Sequence, residues 1–333
     1  MSTDKQALPK FSVITCCYNQ GRYLKDCIES VVNQQYPDFE HIIVDDGSTD
    51  NTREVAESYK HIRYIRQDNA GQSAALNRGF REAKGEIIAW VNSDDYYSPQ
   101  AFHRVAKELD PARGIWIVSG AAMVVNEQGH CMWLLKNGNV SFRRLLLHPR
   151  IYPYNGWTVM PCQPSVFFHR RVLEELGLLD TKYKYGMDYE YWLRAMTAGH
   201  TFRYVPQIFS NYRYHATSHS NQGFDTFQGE WVDIMNRYLA KLPPLHRLLV
   251  EVWWHTCGRI ECIFVRRHKA AIQHIAERFG HAPQVHPVSK RAMVMLRATT
   301  IAPWIPITLA WRATHEELQE PPLPSAGQAE SSL

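Results

Sequence analysis

Much of what would place this chain among familiar nucleotide enzymes is missing. The turn after its first apolar run, Tyr18-Asn19-Gln20-Gly21, has no G-x-G-x-x-G, which argues against a nicotinamide cofactor. No G-x-x-x-x-G-K-[ST] occurs anywhere, which excludes a P-loop. Any phosphate bound here must be held through metal and side chains. The 7 cysteines are scattered, and neither Cys16-Cys17 nor the pair Cys257 and Cys262 has zinc-finger spacing. Free thiols in a reducing, cytoplasmic compartment are expected. Charge of one sign is also scarce. The 37 basic side chains face 33 acidic ones, a net +4, too little to argue for nucleic-acid binding. Met1 to Lys10 has no apolar core, so no secretory signal is expected, and the sequon Asn139-Val140-Ser141 reads as chance. No unbroken apolar run reaches the roughly 20 residues of a transmembrane helix. The nearest, Met293 to Trp311, is interrupted by Pro303 and Pro306.

What is present is alternation. Phe11 to Cys17 is a β-branched, apolar run and reads as a strand. Leu24, Cys27, Ile28, Val31 and Val32 then repeat at helical spacing. Phe39 to Val44 is a second strand, and a helix capped from Ser48, Thr49 or Asp50 follows. His61 to Arg66 is a third strand, Ala74 to Ala83 a helix, and Ile87 to Val91 a fourth strand. Strand and helix alternating over about a hundred residues predict a parallel, doubly wound sheet. Beyond Pro99 the alternation loosens. Strands are expected at 115–125, 131–135 and 163–168, with extended chain at 201–214. Helices are expected at 102–109, 142–147, 171–176 and 187–198, and irregular loops at 148–164 and 215–223. From Phe224 the pattern is helical, with helices expected at 231–239, 245–267 and 270–279.

Acids gather where such a sheet binds ligands. Asp45-Asp46 and Asp94-Asp95 each end a strand, and open α/β sheets take their ligands at the C-terminal strand edge. Adjacent carboxylates repel, so a compensating Mg²⁺ or Mn²⁺ that shares its shell with phosphate oxygens is expected. An acidic turn capping the helix after Pro99 is the other reading of Asp94-Asp95. Asp188 opens a helix, where the dipole favours an acid. Its aromatic and apolar surroundings could also desolvate it and suit it to proton abstraction. Glu190 faces another way and can pair with Arg194.

Five stretches in order carry a resemblance: Val13-Ile-Thr-Cys-Cys-Tyr-Asn19, Val44-Asp-Asp-Gly-Ser-Thr-Asp50, Asn69-Ala-Gly-Gln-Ser73, Asn92-Ser-Asp-Asp95 and Met187-Asp-Tyr-Glu-Tyr-Trp-Leu-Arg194. Together they resemble the family 2 glycosyltransferases, over about Phe11 to Ser218. The resemblance implies a GT-A fold, Rossmann-like with a mostly parallel central sheet, here with a C-terminal helical extension. It implies an inverting transfer from a nucleotide-diphosphate sugar, UDP-sugar favoured, with Mn²⁺ or Mg²⁺. The acceptor expected is a glycan or lipid-linked hydroxyl in surface-glycan synthesis. Residue by residue, Cys16 and Tyr18 resemble the lining of the base pocket. Asp46 resembles the acid that hydrogen-bonds the nucleobase, with Asp45 beside it. Gly71 and Asn77 fall in the segment that passes the nucleotide. Asp94 resembles the acid near the ribose or sugar, Asp95 the metal ligand and Asp188 the general base. Arg213 and His215 resemble a basic pair that approaches the diphosphate. Departures are Ser93 at the first position of the metal motif, Leu76 in place of an Arg, Met187 in place of a Glu, and Cys16 in place of a small hydroxyl residue.

The organisation expected is a polar arm (1–10) and a transferase domain (11–223), split into a nucleotide-binding half (11–110) and an acceptor half (111–223). A helical extension (224–315) and a disordered tail (316–333) complete it. Lys290, Arg291, Arg297 and Arg312 flank an apolar segment, so 290–312 reads either as a peripheral contact with the inner face of the membrane or as a packed appendage. Two other functions use the same acids: a metal-dependent nucleotide-sugar hydrolase or nucleotidyltransferase, and a non-catalytic sugar-nucleotide-binding protein.

Overall fold

The computed structural model describes residues 8–136, 138, 140–149, 160–218 and 224–258. Residues 150–159 and 219–223 of the expected loops lie outside them. So do the helices expected beyond 258, the 290–312 segment and the tail. The first compact unit is Met1–Arg266; the second, Arg267–Leu333, falls entirely outside the described residues.

The first hundred residues form the expected alternation. Strand β1 (Phe11–Cys17) is followed by α1 (Gly21–Val32), β2 (Phe39–Asp45), α2 (Thr52–Glu57), β3 (Ile62–Arg66), α3 (Gln72–Glu82) and β4 (Ile87–Trp90). The order β3-β2-β1-β4 is parallel throughout. Every residue of β1 and β4 is buried, which fits strands covered by helices on both faces. On one face Ile14, Ile42, Ile88 and Trp90 pack with Leu76 and Phe80 of α3. On the other, Phe11, Val13 and Ala89 pack with Cys27 and Val31 of α1.

The second half is mixed rather than simply wound. After the short β5 (Tyr96–Tyr97) come α4 (Ala101–Glu108), β6 (Ile117–Val125), β7 (Cys131–Leu135), α5 (Phe142–Leu146), β8 (Val166–His169), α6 (Arg170–Leu176), α7 (Met187–Thr197) and β9 (Phe202–Arg213). The sheet continues β4-β8-β6-β9-β5, with β7 on β6. Strand β8 runs antiparallel to both β4 and β6, and β9 parallel to β6. Six of the nine strands among the described residues therefore share one direction, and β5, β7 and β8 oppose them. Two residues are enough for β5, which is too short to leave a pattern in the sequence.

Helices α8 (Phe224–Lys241) and α9 (Pro244–Trp253) follow. Trp231, Ile234, Met235 and Tyr238 of α8 are buried in the same core as Tyr189, Trp192 and Leu193 of α7. Packing therefore runs straight across the domain boundary expected at 223. Gly186, ahead of α7, lies under α8. A Cβ there would stand 2.7 Å from Ile234 Cδ1 and 3.1 Å from Trp231 Cδ1. Gly186→Ala is expected to lose about 1–3 kcal/mol to overpacking, read as a lower midpoint in urea with an unchanged slope. An unchanged midpoint would mean that α8 gives way at no cost.

Candidate active site

The C-terminal ends of β1, β2 and β4 lie side by side, with Cys17 paired to Asp45 and Ile14 to Trp90. The helix α1 that leaves β1 packs on one face of the sheet and α3, which leads into β4, on the other, which opens a crevice at the strand edge. A cavity of about 700 Å³ fills that crevice. Cys16, Tyr18, Asp46, Gly71, Asp94 and Asp188 all line it. Six of the expected site residues thus meet in one cleft. Asp45, Asn77, Asp95, Arg213 and His215 do not line it.

The adjacent acids of β2 divide their work. Asp45 is fully buried and accepts from Ser48 N (2.7 Å), Arg66 Nη1 (2.9 Å) and the Tyr64 hydroxyl. It braces the turn after β2. Asp46 reaches the cleft, but its two oxygens also accept from Gln67 Nε2 (2.8 Å), Ala70 N (2.9 Å) and Gly71 N (2.8 Å). Its carboxylate therefore shapes the loop that forms one wall. Gly71 has φ +88, a conformation that glycine adopts without strain. Asn77, expected beside the nucleotide, instead exchanges two 2.9 Å bonds with the backbone of Leu179. Six residues along the helix from Gly71, it has rotated onto the buried face of α3.

The Asn92–Asp95 turn is held from several sides. Gln20 Nε2 donates to Asp94 Oδ2 at 3.1 Å, the Ser93 hydroxyl donates to Gln20, and Gln72 Nε2 donates to Asn92 Oδ1 at 2.8 Å. Asp94 faces the cleft. Asp95 sits beneath it, 1% exposed, with Oδ1 accepting from Arg213 N at 2.9 Å and Oδ2 only a 3.4 Å contact from Asn92. Burial first, then the Asp94 charge, pushes the Asp95 carboxyl well above the ordinary range. Two adjacent hard-oxygen donors, one of them desolvated, fit a divalent cation. Among the described residues no three His, Cys, Asp or Glu side chains converge on one point. The donor set therefore suits an ion whose shell is completed by ligand oxygens rather than a closed protein cage.

Arg213 and His215 stand behind the acids, not over the cleft. The Arg213 guanidinium donates to Asp94 O (3.0 Å), Glu127 O (2.7 Å) and Asp26 Oδ2 (2.6 Å). It also lies between the rings of Tyr23 and Tyr96, 5.0 and 5.3 Å from their centroids. His215 Nε2 is 3.0 Å from Asp94 Oδ2, and its Nδ1 is 3.1 Å from Thr217 Oγ1. Neither side chain lines the cavity where the resemblance implies an approach to a diphosphate; the bonds they make orient the acidic turn instead. Among the described lining residues the cations are Arg22 and Lys184.

Asp188 is the second residue of α7 and is partly exposed to the cleft. Burial raises its carboxyl from 3.8 to about 6, against the opposing pull of the Tyr189 N–H at 2.7 Å. Glu190, two residues on, is 1% exposed and bound to Arg194 Nη2 (2.6 Å) and the Tyr238 hydroxyl (2.8 Å). It ties α7 to α8 and has no access to the cleft.

Sequence reasoning did not single out Gln20, Gln72 or Trp133, which also line the cavity. Asn19, another, leaves a trace in hindsight: it closes a tight strand–helix turn at φ +53 and accepts from Thr49 N at 2.8 Å. Asn is among the few residues that tolerate that region.

A mixed sheet with a nucleotide-type crevice, paired acids at its edge and an isolated acid on a facing helix defines a GT-A glycosyltransferase. Residues 12–177 match the profile of Glycosyl transferase family 2, and the chain belongs to that family. An uncharacterized glycosyltransferase of Rickettsia prowazekii is 26% identical over 271 residues, covering 78% of this chain and 81% of that one. The uncharacterized glycosyltransferase YibD of Escherichia coli is 43% identical over 97 residues, 28% of each chain. Among solved structures, Staphylococcus aureus TarS in complex with UDP-GlcNAc superposes with a TM-score of 0.54 at 20% identity, covering 72% of this chain and 70% of that one. The mannosyltransferase PcManGT of Pyrobaculum calidifontis, in complex with GDP-Man and Mn²⁺, superposes with a TM-score of 0.53 at 18% identity, covering 95% and 87%. No helix among the described residues is long and apolar enough to cross a membrane.

Proposed function

We propose that the cleft transfers a sugar from a nucleotide-diphosphate sugar to a hydroxyl of a glycan or lipid-linked acceptor, with inversion at the anomeric carbon. The observation that carries this reading is the placement of Asp188 in the same cavity as Asp46 and Asp94, with its carboxyl raised to about 6. A base of that strength is largely ionised at neutral pH and still accepts a proton readily. Asp188 takes the acceptor hydroxyl proton as the oxygen attacks the anomeric carbon. The bond to the diphosphate breaks, and the nucleoside diphosphate leaves with the electron pair. Cys16, Tyr18 and the loop braced by Asp46 receive the nucleoside, and Gly71 lets the backbone come close to it. The rings of Trp133 and Tyr214 line the same cavity and present flat faces of the kind on which a sugar ring stacks. Asp94 and Asp95 would hold Mn²⁺ or Mg²⁺, which would supply positive charge against the leaving diphosphate. The neighbours' ligands, UDP-GlcNAc in one and GDP-Man with Mn²⁺ in the other, support a sugar nucleotide as donor; of the two nucleotides we favour UDP.

Calorimetric titration with UDP, with and without Mn²⁺, tests the donor half of this reading. Asp94→Ala and Asp95→Ala are each expected to abolish the Mn²⁺-dependent gain in affinity while weak metal-free binding persists. If both variants keep that gain, the ion binds elsewhere and this assignment of the acids is wrong.

A further inference from the structure

Helix α8 lies outside the segment that matches the family, yet one stripe of it grips the turn that presents Asp188. Glu230 accepts three consecutive backbone N–H groups: Lys184 N at 2.9 Å through Oε1, and Tyr185 N at 2.7 Å and Gly186 N at 2.9 Å through Oε2. One turn along, Asp233 Oδ2 takes Lys182 Nζ at 2.7 Å and the Tyr183 hydroxyl at 2.9 Å. A further turn on, Arg237 reaches Asp180 Oδ2 at 3.1 Å and Tyr238 reaches Glu190 Oε1 at 2.8 Å. Spacings of three and four put these residues on one helical face. Their partners run from Asp180 to Glu190 and bracket Asp188. Of these holds, only Glu230 bonds the backbone immediately ahead of α7.

We propose that Glu230 is a positioning residue for Asp188: by fixing three successive amides of the entry turn, it sets where the Asp188 carboxylate stands in the cleft. The inference rests on Asp188 acting as the base. A carboxylate suits the task because it accepts all three amides, whereas the amide of Gln offers one acceptor oxygen and turns two donors toward N–H groups that are themselves donors. Displacement of a reacting group by about 1 Å can cost roughly 10²-fold in rate.

The test compares wild type, Glu230→Gln, Glu230→Asp, Asp188→Asn and the Glu230→Gln/Asp188→Asn double variant. Donor consumption is followed with UDP-GlcNAc and GDP-mannose against a panel of saccharide and glycolipid acceptors, and donor affinity is measured on each variant. Glu230→Gln is expected to lower kcat by about 10²-fold with donor affinity unchanged. Glu230→Asp, which keeps the charge, is expected to recover part of that loss. The double variant is expected to turn over no more slowly than Asp188→Asn alone, because Glu230 acts only through Asp188. The proposal is overturned if Glu230→Gln costs the same factor on the Asp188→Asn background as on wild type. It is also overturned if donor affinity falls in step with kcat, or if Glu230→Asp is no better than Glu230→Gln. Full turnover by Asp188→Asn, or a wild-type chain that consumes neither donor, would instead remove the reading on which the proposal stands.

Discussion

Replacing Asp188 by Asn is expected to lower sugar transfer by about 10²–10⁴-fold, the usual contribution of a positioned general base, while donor affinity is preserved. The variant keeps the size of the side chain and its acceptor for the Tyr189 N–H, so the helix start is undisturbed. What it loses is the carboxylate that burial has raised to about 6. The pH dependence follows from the sign of that shift. The base works only when ionised, so the wild-type rate is expected to fall as pH drops below about 6. For stability the sign is opposite to that of a salt-bridged acid. A carboxyl raised above its ordinary 3.8 favours the folded state when protonated, and that contribution is lost as pH rises through about 6. Asp188→Asn is therefore expected to melt at or above the wild-type temperature at pH 8, with the difference vanishing below pH 4. A residue that merely capped α7 would do neither, since Asn caps nearly as well as Asp. Normal turnover in this variant would sink the assignment. Glu190, buried and committed to Arg194 and Tyr238, could not take over the role.

Arg213→Met is expected to destabilise the chain by about 2–3 kcal/mol, the cost of leaving buried carbonyls without their donors, and to weaken donor binding along with it. The guanidinium is 5% exposed, and each of its three nitrogens donates to a different segment: the acidic turn, the 126–130 hairpin and α1. Met fills the space but leaves the carbonyls of Asp94 and Glu127 without those donors. Asp26, half exposed, can rehydrate, so little of the loss comes from its charge. Lys is expected to recover little, because a single ammonium cannot donate in three fixed directions at once. A direct diphosphate contact would behave differently, with affinity falling while the midpoint in urea stayed put. Measuring the urea midpoint and donor affinity on the same protein separates the two, and an unchanged midpoint would return Arg213 to the cleft.

The difference between what the sequence disclosed and what it hid has a physical pattern. Strands β1, β2 and β4 are legible because burial on both faces demands continuous apolar runs, and the acids that end them follow from strand direction alone. The sequence does not say which member of an adjacent pair faces the cleft. Asp45 and Asp46 are neighbours of the same type, and only the positions of Tyr64, Arg66 and the 67–71 loop send one inward and the other to the rim. Asp94 and Asp95 part for the same reason, through Arg213, 119 positions from Asp94 in sequence. Arg213 and His215 resembled ligand contacts because their charge and order match. Burial under the acidic turn, a tertiary fact, gives them another task. Glu230 left no local signal at all, since its partners lie 44 to 46 residues away and are backbone amides.

The anomeric configuration of the product tests the account most directly. With an α-linked sugar nucleotide as donor and an acceptor that the chain uses, the proton NMR spectrum of the product taken before any equilibration is expected to contain the β-anomer, the outcome of one displacement assisted by Asp188. An α-linked product would contradict that single displacement, and free sugar with no glycoside would contradict transfer itself.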